Sequence, residues 1–149
     1  MRSHALSIIP PYNDQVYPYE TFPPWTSLMH VLRLVGAAMR RRGMPASFKC
    51  LEVALVQASQ RIAAVARGDL PVTRWLRRAR VAVGKLEHAK LAVVDHVAAK
   101  TLDLAEAQEI VDGIDATIAR LVDEVARAPL PDELRIGLMD LQAPLGVGP

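Results

Sequence analysis

Between Val72 and Lys100, apolar side chains return every three or four residues, and no other feature restricts the fold of this chain as much. Trp75, Leu76, Ala79, Val83, Leu86, Val93 and Val97 share one stripe of a helix turning about 100° per residue, the pattern of a helix that buries one side. Arg74, Arg77, Arg78, Lys85 and His88 project from roughly the opposite side. A helix of this length needs apolar partners, and the flanking sequence supplies three.

The first partner helix starts near Pro24, a residue suited to a first turn because its missing N–H would be unpaired there anyway. Trp25, Leu28, Leu32, Val35 and Met39 form its inward stripe, and Gly43 with Pro45 ends it. The second runs from a Ser47 N-cap to Arg67 before Gly68, with Phe48, Leu51, Leu55, Ala58, Ile62 and Val65 inward. Val53 and Val56 lie off that stripe, which hints at burial on two sides and so at oligomerisation. Asp69 or Thr73 is the candidate cap of the long third helix. The fourth opens at Asp103, whose spacing to Glu106 imitates a capping box. Leu104, Ala107, Ile110 or Val111, Ile114, Ile118, Leu121 and Val125 follow inward, while Glu106, Glu109, Asp112 and Asp123 face out.

Four amphipathic helices joined by short breaks, with no competing strand alternation, predict an all-α, up-down-up-down four-helix bundle over 24–128. Residues 1–23 read as a proline-rich, tyrosine-bearing arm, and 129–149 as a tail with a possible short helix from Pro131 to Leu141. The apolar run Ala5 to Ile9 meets Pro10 and Pro11 too soon for a secretory leader. No stretch of membrane-spanning length lacks charge, so the expectation is a soluble, cytoplasmic protein without a membrane partner. The single cysteine, Cys50, falls within an apolar helical pattern and reads as a buried structural thiol.

The formal charge of +2 conceals a strong division along the chain. Residues 33–100 hold 14 Lys/Arg against 4 Asp/Glu, a net of +10, whereas 101–149 hold 3 against 10, a net of −7. The basic residues form clusters in three consecutive helices: Arg40, Arg41 and Arg42; then Lys49, Arg61 and Arg67; then Arg74, Arg77, Arg78, Arg80 and Lys85. Any one cluster is explained by solvation, and the arginine triplet partly by capping of a negative helix end. Three together point to a polyanion, because phosphates attract such a surface without sequence-specific contacts. Few aromatics interleave with the arginines, so base stacking has little support.

Catalysis finds no comparable pattern. The series Glu106, Glu109, Asp112, Asp115 could present carboxylates to Mg²⁺, as in all-α nucleotide pyrophosphohydrolases. Such a site needs a second acidic helix, and the others offer Glu52 and Glu87 singly. His88 and His96 are two turns apart with no cysteine at ligand spacing, and both read as surface histidines. A HEPN-type ribonuclease calls for an arginine four to six residues before a histidine; seven residues separate Arg80 from His88. Lys90, inside the apolar stripe, reads as a snorkelling lysine or one paired with Glu87. No phosphate-cradling glycine loop or nucleophile elbow occurs, so neither an enzyme nor a bound cofactor or metal is expected.

The run from Arg41 through Gly43, Met44, Pro45, Ala46, Ser47, Phe48, Lys49 and Cys50 to Leu51 resembles the junction of helices one and two in the accessory variability determinant (Avd) proteins of diversity-generating retroelements. Ala82 to Glu87, followed by Leu102 to Ala107 and an amphipathic last helix, is similar to proteins encoded in 23S rRNA intervening sequences. The resemblance covers about residues 25–127; the arm and the tail after Pro129 have no counterpart in it. It implies a four-helix bundle assembling as a homopentameric barrel with a basic surface. In the Avd branch that barrel binds a reverse transcriptase and its template RNA, or an RNA–DNA hybrid, and supports mutagenic cDNA synthesis. The intervening-sequence branch implies instead a structural oligomer without a direct nucleic-acid role.

Overall fold

The computed structural model describes residues 21–41, 48–68 and 70–128; most of the arm, the whole tail and Arg42 lie outside them. Four helices account for most of what is described: α1 (Pro23–Arg41), α2 (Phe48–Arg67), α3 (Val72–Ala98) and α4 (Leu104–Ala126). The described residues contain no strand, and no helix among them is long and apolar enough to cross a membrane.

Contacts between helices fix the topology. Phe48 at the start of α2 stacks on His96 near the end of α3, while Trp75 at the start of α3 hydrogen-bonds Val65 near the end of α2, so these helices are antiparallel. Lys90 of α3 reaches Asp115 of α4, and Arg41 at the end of α1 reaches Glu106 at the start of α4. Each helix thus runs against its neighbours in an up-down-up-down four-helix bundle, with α2 beside α3 and α1 beside α4.

The predicted stripes meet at the centre. Trp25, Leu28, Val35 and Met39 of α1, all six inward residues of α2, Leu76, Ala79, Val83, Leu86 and Val93 of α3, and Ile110, Ile114, Leu121 and Val125 of α4 are buried. Burial extends further on the flanks than the stripes alone suggest, to Val31 and Ala38 of α1 and to Ala82 and Ala89 of α3. Three polar residues share the interior, each with a partner. Ser59 Oγ donates to the Val56 carbonyl at 2.6 Å and Thr117 Oγ1 to the Gly113 carbonyl at 2.8 Å, both bonding back along their own helices.

His96 is the third, and the expectation that it lies on the surface is overturned: only 6 % of it is exposed. Its ring stacks on Phe48 with centroids 4.4 Å apart and planes 13° from parallel, and its Nδ1 lies 2.7 Å from Thr101 Oγ1. Thr101 Oγ1 also lies 3.1 Å from the His96 carbonyl oxygen, so the one hydroxyl serves both ends of this contact. Burial of this ring is therefore compensated by one hydrogen bond and one stacked face. Cys50 differs from expectation in the other direction: its thiol is exposed, because the residue sits on the flank of α2 that faces away from the bundle axis.

Helix ends follow local chemistry. The capping box of α4 forms as predicted, with Glu106 N donating to Asp103 Oδ1 at 2.9 Å and Asp103 N to Glu106 Oε1 at 3.2 Å. Glu106 is therefore half-buried at a helix start, not a free outward carboxylate, and Leu104 just before it is exposed instead of inward. Thr73 does not cap α3, since Pro71 occupies the N-cap position and makes no side-chain cap bond, and Asp69, the other candidate, lies outside the described residues.

α3 ends two residues earlier than its periodicity suggests, in a Schellman motif. Lys100 N donates to Val97 O at 3.0 Å and Thr101 N to His96 O at 2.9 Å, while Lys100 itself takes the left-handed φ of 63°. At the equivalent position after α2 the sequence has Gly68, with φ 69°. A lysine in that conformation brings its β-carbon against its own carbonyl oxygen, which glycine avoids. Lys100→Gly is expected to raise the unfolding free energy by about 1 kcal/mol, read as a higher urea midpoint at unchanged slope.

Candidate nucleic-acid interface

The antiparallel arrangement separates the basic clusters that sequence places one after another. Arg40, Arg41 and Lys49 lie at the end of the bundle where α1 stops and α2 starts. Arg61, Arg67, Arg74, Arg77 and Arg78 lie at the other end, where α2 stops and α3 starts. Lys49 and Arg67 are about 27 Å apart along α2 at 1.5 Å per residue, so the clusters form two basic regions instead of one.

The two regions also differ in how their charges are employed. At the α1–α2 end, Arg41 is held by the Glu106 carboxylate, which is already part of the α4 capping box, and this hydrogen bond, outweighing desolvation, holds the Arg41 pKa above its ordinary value. Lys49 approaches Glu52 at 3.6 Å. Elsewhere, Arg127 binds Glu124 at 2.6 Å and Asp123 at 3.3 Å. Lys90 lies 2.7 Å from Asp115 and 3.6 Å from Glu87. The hydrogen bond to Asp115 raises the Lys90 pKa against the opposing effect of desolvation, so the amine stays charged across neutral pH and its contribution to this α3–α4 link is lost as alkali deprotonates it. The sequence expectation of Glu87 as partner is half of the arrangement; the nearer carboxylate comes from another helix.

At the α2–α3 end the pairing is sparser among the described residues. Arg61, Arg74, Arg77, Arg78, Arg80 and Lys85 make no ion pair with any described residue. Arg74, Arg77 and Arg80 are exposed, and Arg61, Arg78 and Lys85 are half-buried. At about 100° per residue Arg74, Arg78 and Lys85 share one row along α3, Arg77 lies about 60° from Arg74, and Arg80 about 120° from it in the same direction. Arg80 is thus the member of the α3 set that the fold directs elsewhere.

Local structure fixes the corner. Trp75 Nε1 donates to the Val65 carbonyl at 3.0 Å, and Gly68 N donates to the same oxygen at 3.1 Å, so the turn is fastened by two donors. A groove of about 340 Å³ opens beside it, with Gln60, Arg61, Arg67 and Arg78 as its polar lining. Ala63, Ala64 and Leu70 complete the wall, and the small alanines are what leave room between the arginines. Gln60 and Leu70 were not legible as site residues from sequence; the signal was the i, i+4, i+7 spacing of Gln60, Ala64 and Arg67, which puts them on one helix face.

The first turn of α3 carries no acidic residue and no side-chain cap. Its positive pole therefore adds to the field of the arginines. Such an arrangement has the charge to attract anions. Among the described residues no group of three or more His, Cys, Asp or Glu side chains is placed to hold a metal ion. Of the acidic series on α4, Glu106 caps its helix, Asp112 accepts from Gln108 at 2.8 Å, and Asp115 binds Lys90. No family model matches the sequence, and no curated protein or solved structure matches it either.

Proposed function

We propose that the protein is a non-catalytic nucleic-acid-binding accessory protein that partners a reverse transcriptase and its template RNA. The observation carrying this reading is the contrast in charge pairing. Arg41, Lys49, Lys90 and Arg127 have carboxylate partners, while the cations gathered around the α2–α3 corner, Arg61, Arg74, Arg77 and Arg78, have none among the described residues. Unpaired guanidinium groups at this density repel each other and are relieved by phosphate. The likeness of residues 41–51 to Avd proteins, and of 82–87 and 102–107 to the related intervening-sequence proteins, is what suggests a reverse transcriptase as the partner and a homopentamer as the assembly.

A structural oligomer without a nucleic-acid role is the second reading, favoured by a separate surface. Leu91, Val94 and Leu104 are 64 %, 60 % and 73 % exposed, unusual for large aliphatic residues. Val94 lies one turn beyond Lys90, and Leu104 three turns before Asp115, so both flank the side on which α3 and α4 are joined by that ion pair. Under the first reading this apolar flank serves assembly and the arginine corner serves RNA.

Titration of the protein with a single-stranded RNA across a range of salt concentrations separates the two. RNA binding whose affinity falls by about 0.7 logarithmic units per contacted phosphate for each tenfold rise in salt supports the first reading. A stable oligomer with no measurable RNA affinity at low salt supports the second.

A further inference from the structure

We propose that the groove at the α2–α3 corner is a seat for a phosphate monoester, the terminal phosphate of a nucleotide or of an oligonucleotide chain. This deepens the nucleic-acid reading and rests on it for what the phosphate is attached to.

The Nε–H of Arg61 is buried and has no hydrogen-bond partner among the described residues. Buried donors in folded proteins are almost always satisfied, so an orphan beside an open groove marks a place for an acceptor. Arg67 and Arg78 line the same groove, and Gln60 adds an amide. Arg61 and Arg78, which make no ion pair among the described residues, together bring more positive charge than the single negative charge of a phosphodiester neutralises. A monoester carries between one and a half and two negative charges near pH 7 and presents three strong acceptor oxygens. Planar guanidinium forks match such oxygens in pairs. The uncapped start of α3 adds its positive pole at the same corner.

Size and lining agree with more than a bare ion. A volume of about 340 Å³ lies at the lower end of the range for small-molecule sites. Ala63, Ala64 and Leu70 offer an apolar wall on which a sugar or base can rest.

The test compares one short oligoribonucleotide carrying either a 5′-phosphate or a 5′-hydroxyl, by fluorescence anisotropy at a fixed salt concentration. The phosphorylated form is expected to bind about tenfold more tightly. That preference should disappear in Arg61→Gln and in Arg78→Gln, with the circular dichroism spectrum unchanged. Ala64→Leu fills the groove without altering charge and should also abolish the preference. Competition by AMP at the strength of the phosphorylated oligonucleotide assigns the site to a free nucleotide, and competition only by chain ends assigns it to RNA termini; both support a monoester seat. Equal affinity for the two oligonucleotides overturns the proposal while leaving general RNA binding intact. Arg61-dependent binding of AMP without any affinity for longer RNA upholds the groove and removes the accessory function instead. Tighter Arg61-dependent binding of a glutamate-rich peptide than of either nucleotide ligand also overturns it.

Discussion

Gly113→Val is expected to destabilise the bundle by about 3 kcal/mol. A glycine in the middle of a helix costs about 1 kcal/mol relative to alanine, so its presence in α4 requires a reason. The reason is α1. A β-carbon on Gly113 would lie 2.6 Å from Val31 Cγ2, well inside contact distance. Val31 is fully buried and β-branched, and in a helix its side chain has one strongly favoured rotamer, so the methyl cannot swing aside cheaply. The two helices approach closely here because one of them has no side chain. Gly113→Ala gains helix propensity and loses packing, giving a net loss of about 1 kcal/mol, and the branched valine adds atoms where none fit. Val31→Ala alone costs about 2 kcal/mol by leaving a cavity. Combined with Gly113→Ala it should cost less than the sum, because the new methyl occupies the space vacated, with a coupling of about 1 kcal/mol. Additive losses in urea unfolding would show that the helices separate freely and that no close approach constrains them.

How far the molecule was legible from its sequence depends on what each inference needed. Helix count, boundaries within two residues, the Asp103–Glu106 capping box and most of the inward residues required only periodicity and local hydrogen bonding, which a single segment contains. His96 and Cys50 show where that stops. Both sit on the flanks of their helices, and whether a flank is buried is decided by the neighbouring helix. α2 and α3 pack closely enough for Phe48 to cover His96, while the flank of α2 carrying Cys50 is left exposed among the described residues. The basic site shows the same division. Its residue types were legible, but their grouping was not, because antiparallel packing sends Arg40 and Lys49 to one end and Arg61, Arg74 and Arg78 to the other. Nor could spacing reveal that Arg41 is engaged by Glu106, a residue 65 positions away.

That division gives the charge-reversal experiment an internal control. The triple variant Arg74→Glu, Arg77→Glu, Arg78→Glu is expected to weaken RNA binding at least about 100-fold at moderate salt, since three charge-assisted phosphate contacts are replaced by repulsion. The salt dependence should flatten by about 2 logarithmic units per tenfold change in salt, as three single-strand phosphate contacts are lost. Reversal of Arg40 and Lys49 together, at the opposite end, should change affinity less than about threefold, because exposed charges some 27 Å away are screened beyond a Debye length of about 10 Å. Arg41 is left untouched in both variants, since losing it would disturb the α4 cap. Loss of binding through unfolding is not expected on physical grounds. None of the three α3 arginines has an ion pair to break among the described residues, and glutamate at position 74 falls in the first turn of α3, where a negative charge stabilises the helix by roughly 0.3–1 kcal/mol. The triple variant should therefore unfold at the same urea concentration as the parent or a higher one. Equal losses from the two variants would show that the RNA contact is spread over the whole bundle and that the α2–α3 corner has no special part in it.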